Sequence, residues 1–290
     1  FGGFSINNVL DFALEPFLLG SDGIFDHLIS DFSQSDEISF RTNVANNVKG
    51  DFLKKISKSH SIPVMDAEIS RFLKCIPING IILDIGGCWG WHWRNIHSYR
   101  PDVSVVILDF VRPNLAHAKT LLGDLINKNI CLVHGDATNL QFSSELFDGI
   151  WTVQCLQHIE NFESAIFESC RVMKPGAVFS NYSLNIQPQV KLLKEVLRKT
   201  YVTDGLMMGG QLWLSRASAK QKLHMEKIFK NIADERFSEY LFSPALGLDS
   251  PGKEDHWLGR LDVKLTNNYG FMKWFARQHS FHVTKNKVRR

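Results

Sequence analysis

Apolar residues follow two different rhythms along this chain. Up to residue 78 they form helical patches without clear strand alternation. The clearest is the last, where Ile69, Phe72 and Leu73 recur at helix spacing before Pro77 and Asn79-Gly80 break the chain. From residue 81 short β-branched runs take over, and Ile81 to Ile85, Val103 to Leu108, Ile130 to Val133, Phe147 to Val153 and Ala177 to Asn181 are predicted as strands. Between them the pattern predicts a helix starting at Trp91, one with the face Leu115, Ala118 and Leu122 that stops at Gly123, and one with Phe162, Ala165, Ile166, Cys170 and Met173 inward. Lys174-Pro175-Gly176 turns the chain into the fifth strand. Beyond 186 the rhythm loosens. Helices are predicted around Val190 to Leu197 and Met225 to Ile232, the stretch 237–270 is rich in Gly, Pro, Asp and Asn, and Gly270 to Arg290 reads as a helix followed by a strand.

Short apolar strands alternating with helices predict an α/β fold with a mostly parallel sheet and helices on both faces. Segment 1–66 reads as a helical N-terminal extension or cap, 67–290 as the main domain, and 200–265 as an insertion or lid within it. A ligand of such a sheet sits beyond the carboxyl ends of the strands, so the residues just after each strand carry the candidate chemistry.

Composition narrows the partners. With 44% hydrophobic and 22% charged residues the chain is globular rather than disordered or fibrous. Lys plus Arg is 33 against 30 Asp plus Glu, and this near balance gives no global drive toward nucleic acid or anionic membrane. No apolar run reaches the roughly 18 residues of a membrane span. Five scattered cysteines without a CxxC argue against a disulfide framework or structural zinc and suggest reduced thiols in a cytoplasmic protein. His92 and His97 are five apart, off one helix face, so no metal site is expected. The start, Phe1 to Gly20, has no basic n-region and carries Asp11 and Glu15, so it does not read as a signal peptide. It also lacks an initiator Met, and residues are expected to precede Phe1.

The most informative segment is Asp84-Ile85-Gly86-Gly87-Cys88-Trp89-Gly90, a glycine loop after the first strand of the alternating region. Such a loop brings backbone close to a ligand and enters the next helix tightly. The dinucleotide fingerprint GxGxxG would require Gly at 88 and 91, where the chain has Cys88 and Trp91. Asp109 closes the next strand, 19 residues after Gly90. A carboxylate there can accept hydrogen bonds from both hydroxyls of a ribose, a geometry shared by nicotinamide and adenosylmethionine binders.

The loop resembles the first motif, (D/E)xGxGxG, of class I S-adenosylmethionine-dependent methyltransferases, with Asp84, Gly86 and Gly90 matching and Cys88 replacing the central glycine. The Phe147-Asp148-Gly149-Ile150-Trp151 strand, the run Val153 to Ile159 and the turn Met173-Lys174-Pro175-Gly176 resemble the small-molecule ("type 11") branch of that family. The resemblance covers 67–185. It implies a Rossmann-like sheet that binds S-adenosylmethionine through Asp84, Gly86, Gly87, Cys88, Trp89, Gly90, Asp109, Phe110, Asp136, Ala137 and Gln154. Asp136 would accept the adenine amino group, the backbone amide of Ala137 would meet the ring and Phe110 would pack on it. Gln154 would hold the methionine portion. Asp84 would either orient loop amides or reach the amino end through water. The product is S-adenosylhomocysteine, and the partner implied is a small-molecule methyl acceptor.

His158, after the fourth strand, is the candidate general base, with a structural histidine as the alternative. Trp91 and Trp93 read as packing residues and Trp89 as bordering the cofactor. Arg94 either meets a carboxylate or is solvated. Asn181 and Tyr182 either face substrate or cap their strand. Where amino methylation of DNA bases uses an Asn/Asp-Pro-Pro-aromatic run, this chain has Val153-Gln154-Cys155-Leu156-Gln157-His158, and Cys155 lacks the preceding Pro of cytosine-C5 chemistry. The expected acceptor atom is an oxygen, nitrogen or activated carbon of a metabolite or natural product. A non-catalytic adenosylmethionine-binding protein and a nicotinamide oxidoreductase remain as alternatives, and oligomeric state is not legible.

Overall fold

The β-branched runs assemble into one sheet. The computed structural model describes residues 17–26, 34–47, 50–126, 128–199, 207–208, 211–212, 218–231 and 233–286. The elements in chain order are β1 (Leu18–Leu19), β2 (Phe25–Asp26), α1 (Ser35–Asn46), α2 (Phe52–Ile56), α3 (Ile62–Leu73), β3 (Ile81–Ile85), α4 (Ile96–Tyr99), β4 (Ser104–Asp109), α5 (Arg112–Leu122), β5 (Ile130–His134), β6 (Phe147–Val153), α6 (Phe162–Val172), β7 (Met173–Leu184), α7 (Pro188–Val196), β8 (Met207–Met208), β9 (Gln211–Leu212), α8 (Ser218–Phe229), β10 (Asp234–Ser238), α9 (Trp257–Leu265) and β11 (Gln278–Thr284).

The main sheet among the described residues runs β1-β2-β5-β4-β3-β6-β7-β11-β10. From β2 to β7 every neighbouring pair is parallel, and β11 and β10 add antiparallel strands beyond β7. Strands β3 and β4 are buried along their whole length, as expected of central parallel strands covered on both faces. Their side chains alternate between two apolar clusters. Leu83, Ile85, Val106 and Leu108 pack with Ala165, Ile166, Met225 and Phe229 on one side. Ile82, Val105 and Ile107 pack with Ile69, Phe72, Leu115 and Ala118 on the other.

The order reverses at β3, where the chain moves from β4 and β5 on one side to β6 and β7 on the other. That switch point opens a crevice at the strand tips. Local capping fixes how chain enters and leaves the helices. The Asp51 carboxylate accepts from Lys54 N at 3.0 Å, Asn161 caps α6 through Ser164 N, and Gly123 ends α5 with φ +51°.

The structure departs from the sequence reading in several places. The helix expected from Trp91 is a single 3₁₀ turn, Trp91–Trp93, followed by the four residues of α4. The segment before residue 78 also contains the short strands β1 and β2 at the sheet edge. Within 200–265, α8 packs on the sheet and β10 pairs with β11 at its edge, so these two elements belong to the main sheet's layers instead of standing apart from them. The helix expected near the C-terminus is a 3₁₀ turn, Gly270–Trp274, and the following strand is β11. No helix among the described residues is long and apolar enough to cross a membrane.

Candidate functional site

A cavity of about 660 Å³ opens over the tips of β3, β4, β5 and β6. That volume falls within the ~300–1,000 Å³ usual for small-molecule sites. Its floor is formed by the loops after these strands. Gly86, Cys88, Asp109, Phe110, Asp136, Ala137, Gln154 and His158 all line it. The topology thus gathers residues from four separate strand ends.

Asp109 is the best-anchored group. Its side chain is buried, Oδ2 accepts from Cys88 N at 2.9 Å, and Oδ1 accepts from Val111 N at 2.8 Å. Burial raises its pKa, and these backbone donors oppose the rise. Oδ1 also takes a long contact from Asn114 Nδ2 at 3.5 Å, and Oδ2 keeps a second acceptor direction for a hydroxyl. One strand over, Asp136 Oδ1 accepts from Thr138 N at 2.8 Å, which holds the loop that carries Ala137. Phe110 is positioned through its carbonyl, 3.2 Å from His134 Nε2.

The glycine loop is folded back on β4. Gly86 N donates to Leu108 O at 2.7 Å and Gly90 N to Gly87 O at 2.8 Å. Gly86 has φ +67°, and a Cβ there would lie 2.8 Å from Cys155 Cβ and closer still to Cys155 Sγ, so only glycine lets the two loops meet. Cys88, which stands where the family motif has glycine, keeps the left-handed backbone with φ +51°, and Gln154 does the same at +48°. Of the eight non-glycine residues with positive φ among the described residues, Gln34, Cys88 and Gln154 line this cavity.

Four of the expected cofactor residues do not line the cavity. Asp84 lies on the face of β3 that packs against Trp93 and accepts from Trp93 Nε1 at 2.7 Å. Burial raises its pKa to about 7. Gly87 and Gly90 shape the loop from behind: a Cβ on Gly87 would strike Asp84 and Ile107, and one on Gly90 would strike Leu122 and Ile107. Trp89 turns away toward α5, where its Nε1 donates to Asn114 Oδ1 at 3.2 Å and its ring meets Phe52 and His117. Trp91 and Trp93 are buried packing residues. Arg94 meets carboxylates, Asp66 at 2.7 Å and Glu254 at 2.8 Å. Asn181 and Tyr182 point into the core, bonding Gln221 and Glu68, and the cavity instead meets Leu184 and Asn185 just beyond them.

The roof consists of residues that the sequence did not single out. Helix α1 supplies Gln34 from its N-cap, Glu37 and Arg41. The turn before α3 supplies His60, α7 supplies Lys194, and Arg277 precedes β11. Gln34 Nε2 donates to His158 O at 2.8 Å, and Arg41 Nη2 lies 3.2 and 3.1 Å from the two ring nitrogens of His158. Arg277 is held by the Glu239 carboxylate and by Ser59 O. Burial, with Arg41 beside it, holds the His158 pKa well below its usual value. Burial and Arg277 together lower that of His60 to about 3. Both imidazoles are therefore neutral near pH 7. A spacing of four residues on a helix links Glu37 and Arg41 in sequence, but ordinary surface ion pairs share it. No group of three or more potential metal ligands occurs among the described residues.

The floor fits a nucleoside-bearing ligand. It offers two carboxylates on neighbouring strand tips, the aromatic side chain of Phe110, and a glycine loop packed tightly enough to bring Gly86 and Cys88 to the same cavity. Comparison with known proteins agrees. A family profile described as "Methyltransferase domain" matches residues 83–181. The chain is 34% identical over 100 residues to a malonyl-[acyl-carrier protein] O-methyltransferase of Buchnera aphidicola subsp. Baizongia pistaciae, spanning 33% of this chain and 36% of that protein. It is 36% identical over 81 residues to norajmaline N-methyltransferase of Rauvolfia serpentina, spanning 26% and 27%. The matches thus cover about a third or less of these relatives' lengths. The fold is shared more widely. A crystal structure described as a SAM-dependent methyltransferase, possible histamine N-methyltransferase, from Thermotoga maritima aligns with TM-score 0.55 at 13% identity over 86% of this chain and all of that one. With the strand order, the loop and the matched segment in agreement, residues 83–181 are similar to the methyltransferase-domain family, and the fold built around them is that of the class I S-adenosylmethionine-dependent methyltransferases.

Proposed function

We propose that the protein is an S-adenosylmethionine-dependent methyltransferase that transfers a methyl group directly, in line, to an oxygen, nitrogen or activated carbon of a small metabolite or natural product. The observation that carries this reading is the pair of carboxylates, Asp109 and Asp136, on adjacent strand tips beside the Gly86–Cys88 loop in one cavity. The relatives' printed names, which describe O- and N-methyltransferases, support it. The free thiols fit a cytoplasmic location.

Adenosylmethionine, when bound, supplies an electrophilic methyl on a sulfonium. The chain's own task is to hold, orient and dry. Asp109 grips the ribose hydroxyls, Asp136 and the Ala137 amide address the adenine edge, and Phe110 lies against the ring. Gln154, whose backbone N–H donates to Tyr182 O at 2.7 Å, meets the methionine portion. Helix α1 and the turn carrying His60 close the cavity above, which excludes water and fixes the approach of the acceptor. Alignment of this kind can supply about 7–11 kcal/mol in model reactions. His158 would take the acceptor's proton. Glu37 Oε1, 3.5 Å from His158 Nδ1, favours the tautomer with the proton on Nδ1, and Nε2 then faces Arg41 Nη2 at 3.1 Å, which the acceptor's proton would have to displace. The neighbouring Arg41 disfavours the imidazolium, so His158 suits an acceptor that gives up its proton readily.

Incubating the protein with methyl-tritiated adenosylmethionine and a panel of metabolites tests the reading. Label should appear in a small molecule, and S-adenosylhomocysteine should raise the melting temperature. A melting temperature that responds to NAD(H) and not to S-adenosylhomocysteine would replace the reading with an oxidoreductase. Binding without transfer to any acceptor would leave a cofactor-binding protein.

A further inference from the structure

Glu37 is an unusual residue to find in a roof. Its side chain is only 3% exposed, it lines the cavity, and its two oxygens have different fates. Oε1 accepts from Arg41 Nε at 2.8 Å and lies 3.5 Å from His158 Nδ1. Oε2 is buried with no hydrogen-bond partner. A carboxylate oxygen in that state carries its desolvation penalty with nothing to offset it, and this is expected where a ligand supplies the missing donor.

The adjacent guanidinium carries the complementary feature. Arg41 uses Nε for Glu37 and Nη2 for His158, and it also lines the cavity. Its Nη1 takes part in neither contact. It shares the cavity with Cys88, Asp109 and Cys155, on the loops that follow β3, β4 and β6. One turn of α1 therefore offers, side by side, a carboxylate oxygen that lacks a donor and a cation with donor capacity to spare. A hydroxyl or a single amine would use only one of these. A group with an ammonium and a carboxylate on the same carbon uses both, and the combined charges cancel.

We propose that Glu37 and Arg41 form a subsite for an α-amino-acid group, and that its occupant is the amino-acid end of the cofactor. This rests on the adenosylmethionine reading above. With the ribose held at Asp109, the remainder of the molecule extends over the loops after β3 and β6, which share the cavity with Arg41. Helix α1 lies outside the segment 83–181 matched by the family profile, so this chain supplies the recognition from its own N-terminal cap.

Isothermal titration with two nucleosides tests it. S-adenosylhomocysteine carries the amino-acid end, and 5′-methylthioadenosine has the same nucleoside and sulfur without it. The wild-type protein should bind the first at least about tenfold more tightly than the second. Glu37→Gln and Arg41→Gln should each reduce that ratio to about threefold or less, with 5′-methylthioadenosine affinity unchanged within about twofold. The retained nucleoside affinity also reports that the variants are folded. A ratio that survives both substitutions, or a wild type that binds the two compounds equally, overturns the proposal, as does an equal loss for both compounds. If the folded wild type binds neither, the adenosylmethionine reading itself fails, which is a different result. One further arm separates the sources of an amino-acid group. Heat from L-alanine added to wild-type protein saturated with S-adenosylhomocysteine, and absent in Glu37→Gln, would assign the subsite to an amino-acid acceptor and overturn the cofactor assignment.

Discussion

Asp109 in the floor of the cavity and Glu37 in its roof are both buried carboxylates, yet they are held in different ways. Asp109 receives two backbone amides, from Cys88 and Val111, and these come from loops pinned to a fully buried strand. Glu37 is tied only to side chains, on a helix whose other contacts with the cavity are also side chains, and keeps one oxygen unpaired. Backbone donors fixed by a parallel sheet make a rigid receptor for a part of the ligand that never changes. Side-chain contacts on a cap can be altered by single substitutions without disturbing the sheet. The difference fits the proposed division, with the nucleoside at the floor and the rest of the ligand at the roof.

The largest expected effect removes the floor's anchor. Asp109→Ala deletes the acceptor proposed for the ribose hydroxyls and orphans the Cys88 and Val111 amides. At about 1.5–3 kcal/mol per hydrogen bond to a charged group, S-adenosylhomocysteine should bind at least about a hundredfold more weakly by calorimetry. An affinity within a few fold of wild type would end the floor's claim to the ribose.

Next comes the meeting of the two floor loops. Gly86→Ala places a methyl against Cys155 and keeps a left-handed backbone, φ +67°, that alanine disfavours. Thermal unfolding should show a loss of about 1–3 kcal/mol, accompanied by weaker nucleoside binding. A variant as stable as the wild type would mean that the loops are not packed as described.

A third test uses pH. The folded-state pKa of Asp84 is raised to about 7, above its ordinary 3.8, because burial disfavours its charged form. Between those values the folded protein holds a proton that the unfolded chain has released. Stability should therefore fall as pH rises from about 5 to about 7, by about 1 kcal/mol per pH unit from this group. Asp84→Asn, which retains an oxygen for Trp93 Nε1, should flatten the slope in denaturant titrations. An unchanged slope would remove Asp84 as its source.

The smallest effect is expected at Cys88. Glycine there relieves the strain of φ +51° but frees the unfolded chain, and the two effects nearly cancel. Cys88→Gly should change stability by less than about 1 kcal/mol and leave S-adenosylhomocysteine affinity within about twofold. A large loss of affinity would show that the thiol itself contacts the ligand.

The floor was legible in the sequence for a local reason. Buried parallel strands are uninterrupted apolar runs, and the residues that matter follow each run directly, as Asp109 follows Leu108. Where the reading assigned neighbours together, parity separated them: Asp84 lies one residue before the strand end and faces Trp93, while Trp89 turns to Asn114. The roof was illegible because its parts are far apart in sequence. Glu37 and Arg41 look like an ordinary surface pair on a helix, and nothing near Arg277 announces that Glu239 will hold it at the cavity. Strand β10 escaped for another reason. Its sequence, Asp234-Glu235-Arg236-Phe237-Ser238, is polar because three of its five residues are not buried at the edge of the sheet. The strands β1 and β2 are two residues each, too short to have a period.

The account depends most directly on the affinity of the folded chain for S-adenosylhomocysteine, measured by calorimetric titration near pH 7. Saturable binding of a single equivalent, abolished or weakened at least about a hundredfold by Asp109→Ala, is the expected result. A folded wild-type protein that gives no heat of binding with this compound at millimolar concentration would contradict it.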